Sequence, residues 1–299
     1  MKKKHTLPVI AGMLTVSAAL IAGLASAEIK PDRTKKSMMY AKKSLGQNFL
    51  IDLNIIKKII NLAKITNKNI LEIGPGRGAL TDQILKNNPK SLIIIEKDNI
   101  LSNELKLKYS DNKKVTVYNK DVLKFNLEKK LKKDTIIFGN LPYNIASQIL
   151  ANIIKFKEWP PRYSRLILMF QKEMADRITG KFGTPYYGRL SILTNYRLNI
   201  LNKFNVSSNC FFPKPKVDST ILFFKPNLNT EIKINDIVNL EQVTKTLFSN
   251  KRKMINKSIK KIFKGDKKIS IIEELNLTSR PSELKPEKYY KITKIFEQM

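Results

Sequence analysis

Short apolar runs alternate with longer amphipathic stretches along most of this chain. NILEIG (69–74), SLIIIE (91–96), KVTVYN (114–119), TIIFGN (135–140) and RLILMF (165–170) are rich in Ile, Leu and Val and are bounded by turn residues. Each has the length of a buried strand rather than of a helix. Between several of them, 78–87 and 98–109 carry apolar residues at helical spacing. Strand and helix in alternation predict βαβ units around a largely parallel sheet. NILNKFNV (199–206) and DSTILFFKP (218–226) predict two further strands, forming a hairpin-like element at the end of that sheet. After Pro226 the pattern changes: 235–299 keep helical periodicity and Lys-rich faces without a strand-like run. This predicts a smaller helical domain.

The N-terminus follows a different logic. MKKKHTLPVIAGMLTVSAALIAGLASAEIK has a basic start, an uncharged run from Thr6 to Ala27 and a small-residue end at Ala25-Ser26-Ala27. That is the layout of a secretory signal with cleavage before Glu28, and about 20 apolar residues could also anchor a chain in a bilayer. The expected division is a signal-like leader at 1–27, a basic extension at 28–41, an α/β domain at 42–226 and a helical domain at 227–299.

Charge narrows the partners. The chain of 299 residues has 56 Lys and Arg against 25 Asp and Glu, a net charge of +31. Lys2, Lys3 and Lys4 are the leader's charged residues, so its removal leaves +28. The excess belongs to the body and points to a polyanion such as nucleic acid, whose counterions are released on contact. One cysteine, Cys210, excludes an intrachain disulfide and a cysteine-based zinc site. The single histidine, His5, lies in the leader, so the body has no imidazole for acid–base or metal chemistry, and no metal is expected.

EIGPGRGAL follows a predicted strand and opens a predicted helix, with Gly74, Gly76 and Gly78 spaced G-x-G-x-G. Glycines there allow a tight turn and close approach of a ligand to the backbone. The spacing is neither the G-x-G-x-x-G of dinucleotide folds nor a phosphate loop ending in G-K-[ST]. Two carboxylates add weight. Glu96 ends the second strand about twenty residues on, where it can accept from both ribose hydroxyls. Asp121, in NKDVL after the third strand, is placed to accept from an adenine amino group. A nucleoside cofactor without a demanding phosphate site points to S-adenosylmethionine.

The series KKSLGQNFLID, EIGPGRGALT, IIEKD, NKDVL, FGNLPYNIAS, QKEMADRI with YGRLS, and FFPKPKVDS resembles the ribosomal RNA adenine dimethyltransferases, most closely the KsgA-type small-subunit enzymes. The resemblance runs from about residue 42 to 299 and includes FSNKRK (248–253) and RPSEL (280–284) in the tail. It implies a class I methyltransferase fold (Rossmann-like) with a smaller all-helical C-terminal domain. It also implies S-adenosylmethionine as donor and N6-dimethylation of two adjacent adenosines near the 3′ end of small-subunit RNA during ribosome biogenesis. Carried over to this chain, Asn48, Leu50, Gly74, Gly76, Glu96, Asp121 and Asn140 would contact the cofactor, with Gln47 a weaker candidate.

GNLPYN (139–144) would hold the substrate. The Asn140 side-chain carbonyl and the Leu141 backbone carbonyl can accept the two N–H bonds of an adenine amine. Pro142 fixes the local backbone, and Tyr143 can stack on the base. Phe211 is the expected second aromatic wall, with Phe212 the less favoured neighbour. Lys251, Arg252 and Lys253 are candidates for RNA phosphate contacts. The alternatives are a large-subunit RNA methyltransferase conferring macrolide resistance, a DNA adenine methyltransferase and a non-catalytic RNA-binding assembly factor. A monomer without a stable membrane partner is expected. Because exported protein would meet neither pre-ribosomes nor cofactor, the reading is cytoplasmic. The leader is then a misassigned start ahead of Met38 and Met39, a fusion or an engineered extension, with export or anchoring as the alternative.

Overall fold

Apolar residues of the central strands divide between two cores by period two, which places the sheet between two layers. Leu71, Ile73, Ile137, Leu166, Leu168 and Phe170 join one core, whereas Ile70, Ile136, Phe138, Ile167 and Met169 join the other. A parallel sheet covered on both faces needs such unbroken apolar runs, because neither side chain of a consecutive pair meets water. The computed structural model describes residues 41–42, 45–263 and 275–299. The signal-like leader and all but the last residue of the basic extension lie outside the described residues. Lys42–Met299 form one compact unit.

In chain order the elements begin with β1 (Phe49–Leu50), α1 (Leu53–Ile60), β2 (Asn69–Ile73), α2 (Ala79–Lys86), β3 (Ser91–Glu96) and α3 (Asn99–Lys108). There follow β4 (Val115–Asn119), α4 (Leu127–Lys130), β5 (Thr135–Asn140), α5 (Ala146–Ile154), β6 (Tyr163–Gln171), α6 (Lys172–Ile178) and α7 (Arg189–Arg197). The last group is β7 (Leu198–Val206), β8 (Phe211–Phe212), β9 (Ser219–Pro226), α8 (Ile237–Phe248), α9 (Asn256–Ile262) and α10 (Pro286–Phe296). Asp52 and Asp98 start α1 and α3 as N-caps, each side chain accepting two backbone N–H groups that the first turn leaves unpaired.

The main sheet runs β4-β3-β2-β5-β6-β9-β7. β4, β3, β2, β5 and β6 pair in parallel, and β9 lies antiparallel between β6 and β7. From β2 the chain winds outward to β3 and β4, then returns to β5 on the other side. This reversal opens a crevice at the carboxyl ends of β2 and β5, the usual ligand position in such sheets. A second, two-stranded sheet joins β1 to β8, pairing Phe49 with Phe212 and Leu50 with Phe211.

Beyond Pro226 every described element is a helix or a turn. Leu240, Val243, Leu247, Ile259, Phe263, Tyr289 and Ile292 share the core built on α5 and α7. RPSEL has a structural part in this packing: the Tyr187 hydroxyl donates to the Leu284 carbonyl at 2.8 Å. The Tyr289 hydroxyl donates to the carbonyl of Pro281. Among the described residues, no helix is long and apolar enough to cross a membrane.

Candidate active site

Three segments far apart in sequence meet at the crevice: 46–50, 74–78 and 140–144. Gly74 directly follows β2, and a Cβ there would lie 3.5 Å from the Asn140 carbonyl. Its φ of +64° belongs to the left-handed region where a side chain is strained. A Cβ on Gly76 would approach the Phe49 ring to 2.7 Å, so the glycine turn and β1 lie against each other. Gly46 touches the third segment, its own Cβ position being 3.5 Å from the Asn144 side-chain oxygen.

One hydrogen bond fixes the orientation of the key amide. Asn140 Nδ2 donates to the Asn48 carbonyl at 3.0 Å, which leaves Asn140 Oδ1 as an acceptor turned away from that bond. Asn48 uses its own side-chain amide to hold the Gly46 carbonyl at 3.2 Å. Leu141 as a whole is 1% exposed, and no described residue donates to its main-chain carbonyl. Tyr143 and Ser219 share a 2.6 Å hydroxyl contact, and burial pushes the Tyr143 phenol up, so it remains neutral.

The acids occupy the neighbouring strand ends. Glu96 is 7% exposed, its Oε1 accepting from Asp98 N at 2.8 Å and its Oε2 from Gly76 N at 3.4 Å. Burial raises its pKa, and these backbone donors oppose the rise. Asp121 accepts from Leu123 N at 3.0 Å and pairs with Lys97 at 2.9 Å; the Lys97 ammonium holds its carboxyl below the usual range.

Asp98 also anchors the 42–50 segment. It pairs with Lys42 at 2.9 Å and accepts from Gln47 Nε2 at 3.2 Å. Gln47 thereby braces the turn, since its other side-chain atom accepts from Lys42 N at 2.7 Å. Sequence reasoning singled out Gln47 for its motif and missed Asp98, whose signal was its place in IIEKD. Glu72, beneath the glycine turn, is fully buried and receives the Thr81 hydroxyl at 2.6 Å; its Oε1 has no partner. Burial pushes its carboxyl up to about 8.

The aromatic residues separate. Phe211 is 3% exposed within the core on the α1 side, and Phe212 is 39% exposed. Leu50 likewise points its side chain into that core, so any ligand contact from it falls to its backbone. Lys251, Arg252 and Lys253 are exposed on the turn between α8 and α9, away from the glycine turn in sequence and in element order.

Residues 38–298 match the family described as Ribosomal RNA adenine dimethylase. The chain belongs to this family. A relative from Pelagibacter ubique (strain HTCC1062), called Ribosomal RNA small subunit methyltransferase A, is 42% identical over 259 residues, covering 87% of this chain and 98% of its own. The protein of the same name from Malacoplasma penetrans (strain HF-2) is 41% identical over 266 residues, covering 86% and 93%. Among solved structures, a dimethyladenosine transferase from Plasmodium falciparum is similar with a TM-score of 0.69 and 27% identity, over 84% of this chain and 98% of that one. The 23S rRNA methyltransferase ErmE is similar in fold, with a TM-score of 0.62 and 23% identity over 84% and 100%.

Enzymes of the family use S-adenosylmethionine, and the crevice suits it. At the turn, Gly74 and Gly76 have left-handed φ and no side chains, so main chain lines the crevice between Asn140 and Phe49. Glu96 and Asp121 place acceptors at adjacent strand ends, matching a ligand with ribose hydroxyls and an amino group but no phosphate.

Tyr143 gives a graded test of this arrangement. Tyr143→Phe should leave kcat/KM within about tenfold, because one hydroxyl contact contributes about 1 kcal/mol. Tyr143→Ala should lower it about 10- to 100-fold through lost stacking of about 1–3 kcal/mol. Steady-state methyl transfer to RNA distinguishes the two, and equal loss in both variants would assign the effect to the hydroxyl instead.

Proposed function

We propose that this chain N6-dimethylates two adjacent adenosines near the 3′ end of small-subunit ribosomal RNA, with S-adenosylmethionine as methyl donor. The observation that carries the reading is the bond from Asn140 Nδ2 to the Asn48 carbonyl, which leaves Asn140 Oδ1 as an acceptor outside that bond, next to Leu141, whose carbonyl accepts from no described residue. Two fixed acceptors match the two N–H bonds of an exocyclic adenine amine. The names of the small-subunit relatives favour this RNA over the large-subunit one.

When bound, S-adenosylmethionine supplies a methyl group already activated on a sulfonium sulfur. Glu96 would accept from the ribose, Asp121 from the cofactor's adenine amine, and Asn48, Leu50, Gly74 and Gly76 would provide main-chain surface. Asn140 Oδ1 and the Leu141 carbonyl draw the target amine's hydrogens to one side and aim the nitrogen lone pair at the methyl carbon. Pro142 limits the backbone between them. Tyr143 stacks on the displaced base, while Phe211 is packed in the core behind β8. No side-chain base is required, because the methylated nitrogen is acidic and its proton passes to water.

Residues 227–299 serve as the RNA-binding part, with Lys251, Arg252 and Lys253 contacting phosphates. The enzyme acts as a cytoplasmic monomer on a pre-ribosomal particle and has no stable membrane partner. Unmethylated small and large subunits, incubated with enzyme and S-adenosylmethionine, test the reading by primer extension. Stops at paired adenosines near the small-subunit 3′ end are expected. Stops in large-subunit RNA would favour the resistance-type activity, and RNA binding without any methyl transfer would favour an assembly factor.

A further inference from the structure

The methionyl end of S-adenosylmethionine carries a carboxylate, and none of the groups assigned above receives it. Glu96 and Asp121 are acceptors and repel an anion. Backbone amides are the usual anion donors at a glycine turn, but here the glycine amides are already engaged. Gly74 N donates to the Ile95 carbonyl at 3.0 Å, Gly76 N to Glu96 Oε2 at 3.4 Å and Gly78 N to the Pro75 carbonyl at 3.0 Å.

Arg77 stands between two of these glycines. Its guanidinium lies over the Phe49 ring, 5.1 Å from the centroid, so it bridges the glycine turn and the β1 segment. Its Nε is buried and has no hydrogen-bond partner. The described ion pairs leave it without a carboxylate. A buried donor without an acceptor costs free energy unless a ligand completes it, and a guanidinium presents paired N–H groups that fit a carboxylate. Stacking on Phe49 restrains the side chain, which lowers the entropy lost on binding.

We infer that Arg77 binds the carboxylate of the cofactor's methionyl end. The contact would fix the far end of a ligand whose other end Glu96 and Asp121 would hold. The inference rests on S-adenosylmethionine as cofactor, and the test keeps the two claims apart.

Calorimetric titration of S-adenosylhomocysteine and of its decarboxylated analogue, on wild type and Arg77→Met, reads the carboxylate directly. Methionine keeps an apolar stem for Phe49 and removes the charge. Wild type should bind S-adenosylhomocysteine about tenfold more tightly than the analogue, as expected for a charge-assisted contact. Arg77→Met should weaken S-adenosylhomocysteine about tenfold, leave the analogue within about twofold and so lose the discrimination. Equal weakening of both ligands would assign Arg77 to the seating of Phe49 and overturn the inference. So would a wild type that binds both ligands equally, a result that does not depend on the variant folding. Failure of wild type to bind either ligand would count against the cofactor itself.

Discussion

Asn140→Ala is expected to lower the single-turnover rate of methyl transfer about a thousandfold while binding of S-adenosylhomocysteine and RNA stays within a few-fold. The rate falls because the lost oxygen acts on the nitrogen only as it attacks, and fixed polar groups aimed at such a position carry effects of about a hundred- to a thousandfold. Binding changes less, since Glu96, Asp121 and the glycine turn are untouched by the substitution. The variant also leaves the Asn48 carbonyl without the donor 3.0 Å away, a loss of about 1 kcal/mol that belongs to stability rather than rate. Rapid-quench transfer of labelled methyl to unmethylated small subunits, with parallel calorimetry, separates the two. Unchanged transfer would remove Asn140 from the proposed mechanism.

Glu72→Gln should reshape the dependence of stability on pH. The folded chain holds this carboxyl neutral up to about 8, with burial the largest cause, whereas its ordinary value is 4.5. Between those values the folded state binds a proton that the unfolded chain has released. Stability therefore falls as pH rises from about 4.5 through about 8, and the contribution of the neutral acid is fully present only below that window. Gln cannot ionise, so the variant should lack this slope and gain a few kcal/mol relative to wild type between pH 5 and pH 9. Urea unfolding of both proteins at pH 5, 7 and 9 measures the difference. Parallel curves would show that Glu72 ionises without penalty inside the fold.

The main sheet was legible because burial on both faces makes its strands nearly continuous apolar runs, with Glu72 in β2 the buried exception. SLIIIE and TIIFGN correspond to β3 and β5 at the same residues, and NILEIG differs from β2 by one. The hairpin-like pair 199–206 and 218–226 does form, as β7 against β9. The β1–β8 sheet was not legible. Its strands have two residues each, too short for any periodicity, and lie about 160 positions apart. Glu96 and Asp121 could be placed from strand ends alone, but their backbone donors depend on how the next turn folds. The contrast between Phe211 and Phe212 was equally out of reach, because adjacent residues with one chemistry differ only in the side of β8 they occupy. RPSEL drew notice as a motif, and only the hydroxyls of Tyr187, distant in sequence, and of the nearby Tyr289 reveal it as a brace.

Gly139 leaves the Leu141 side chain the room it occupies behind the loop. A Cβ at 139 would lie 2.6 Å from Leu141 Cδ2, 3.3 Å from Leu168 Cδ2 and 3.4 Å from the Ile73 carbonyl. Leu141 is itself sealed in the core, so it has no open side toward which to yield. In the proposed mechanism, the spacing of the two acceptors therefore depends on packing behind the strand that has no room for a Cβ at 139. Tolerances at the proposed substrate loop are inherited from packing that no substrate would touch.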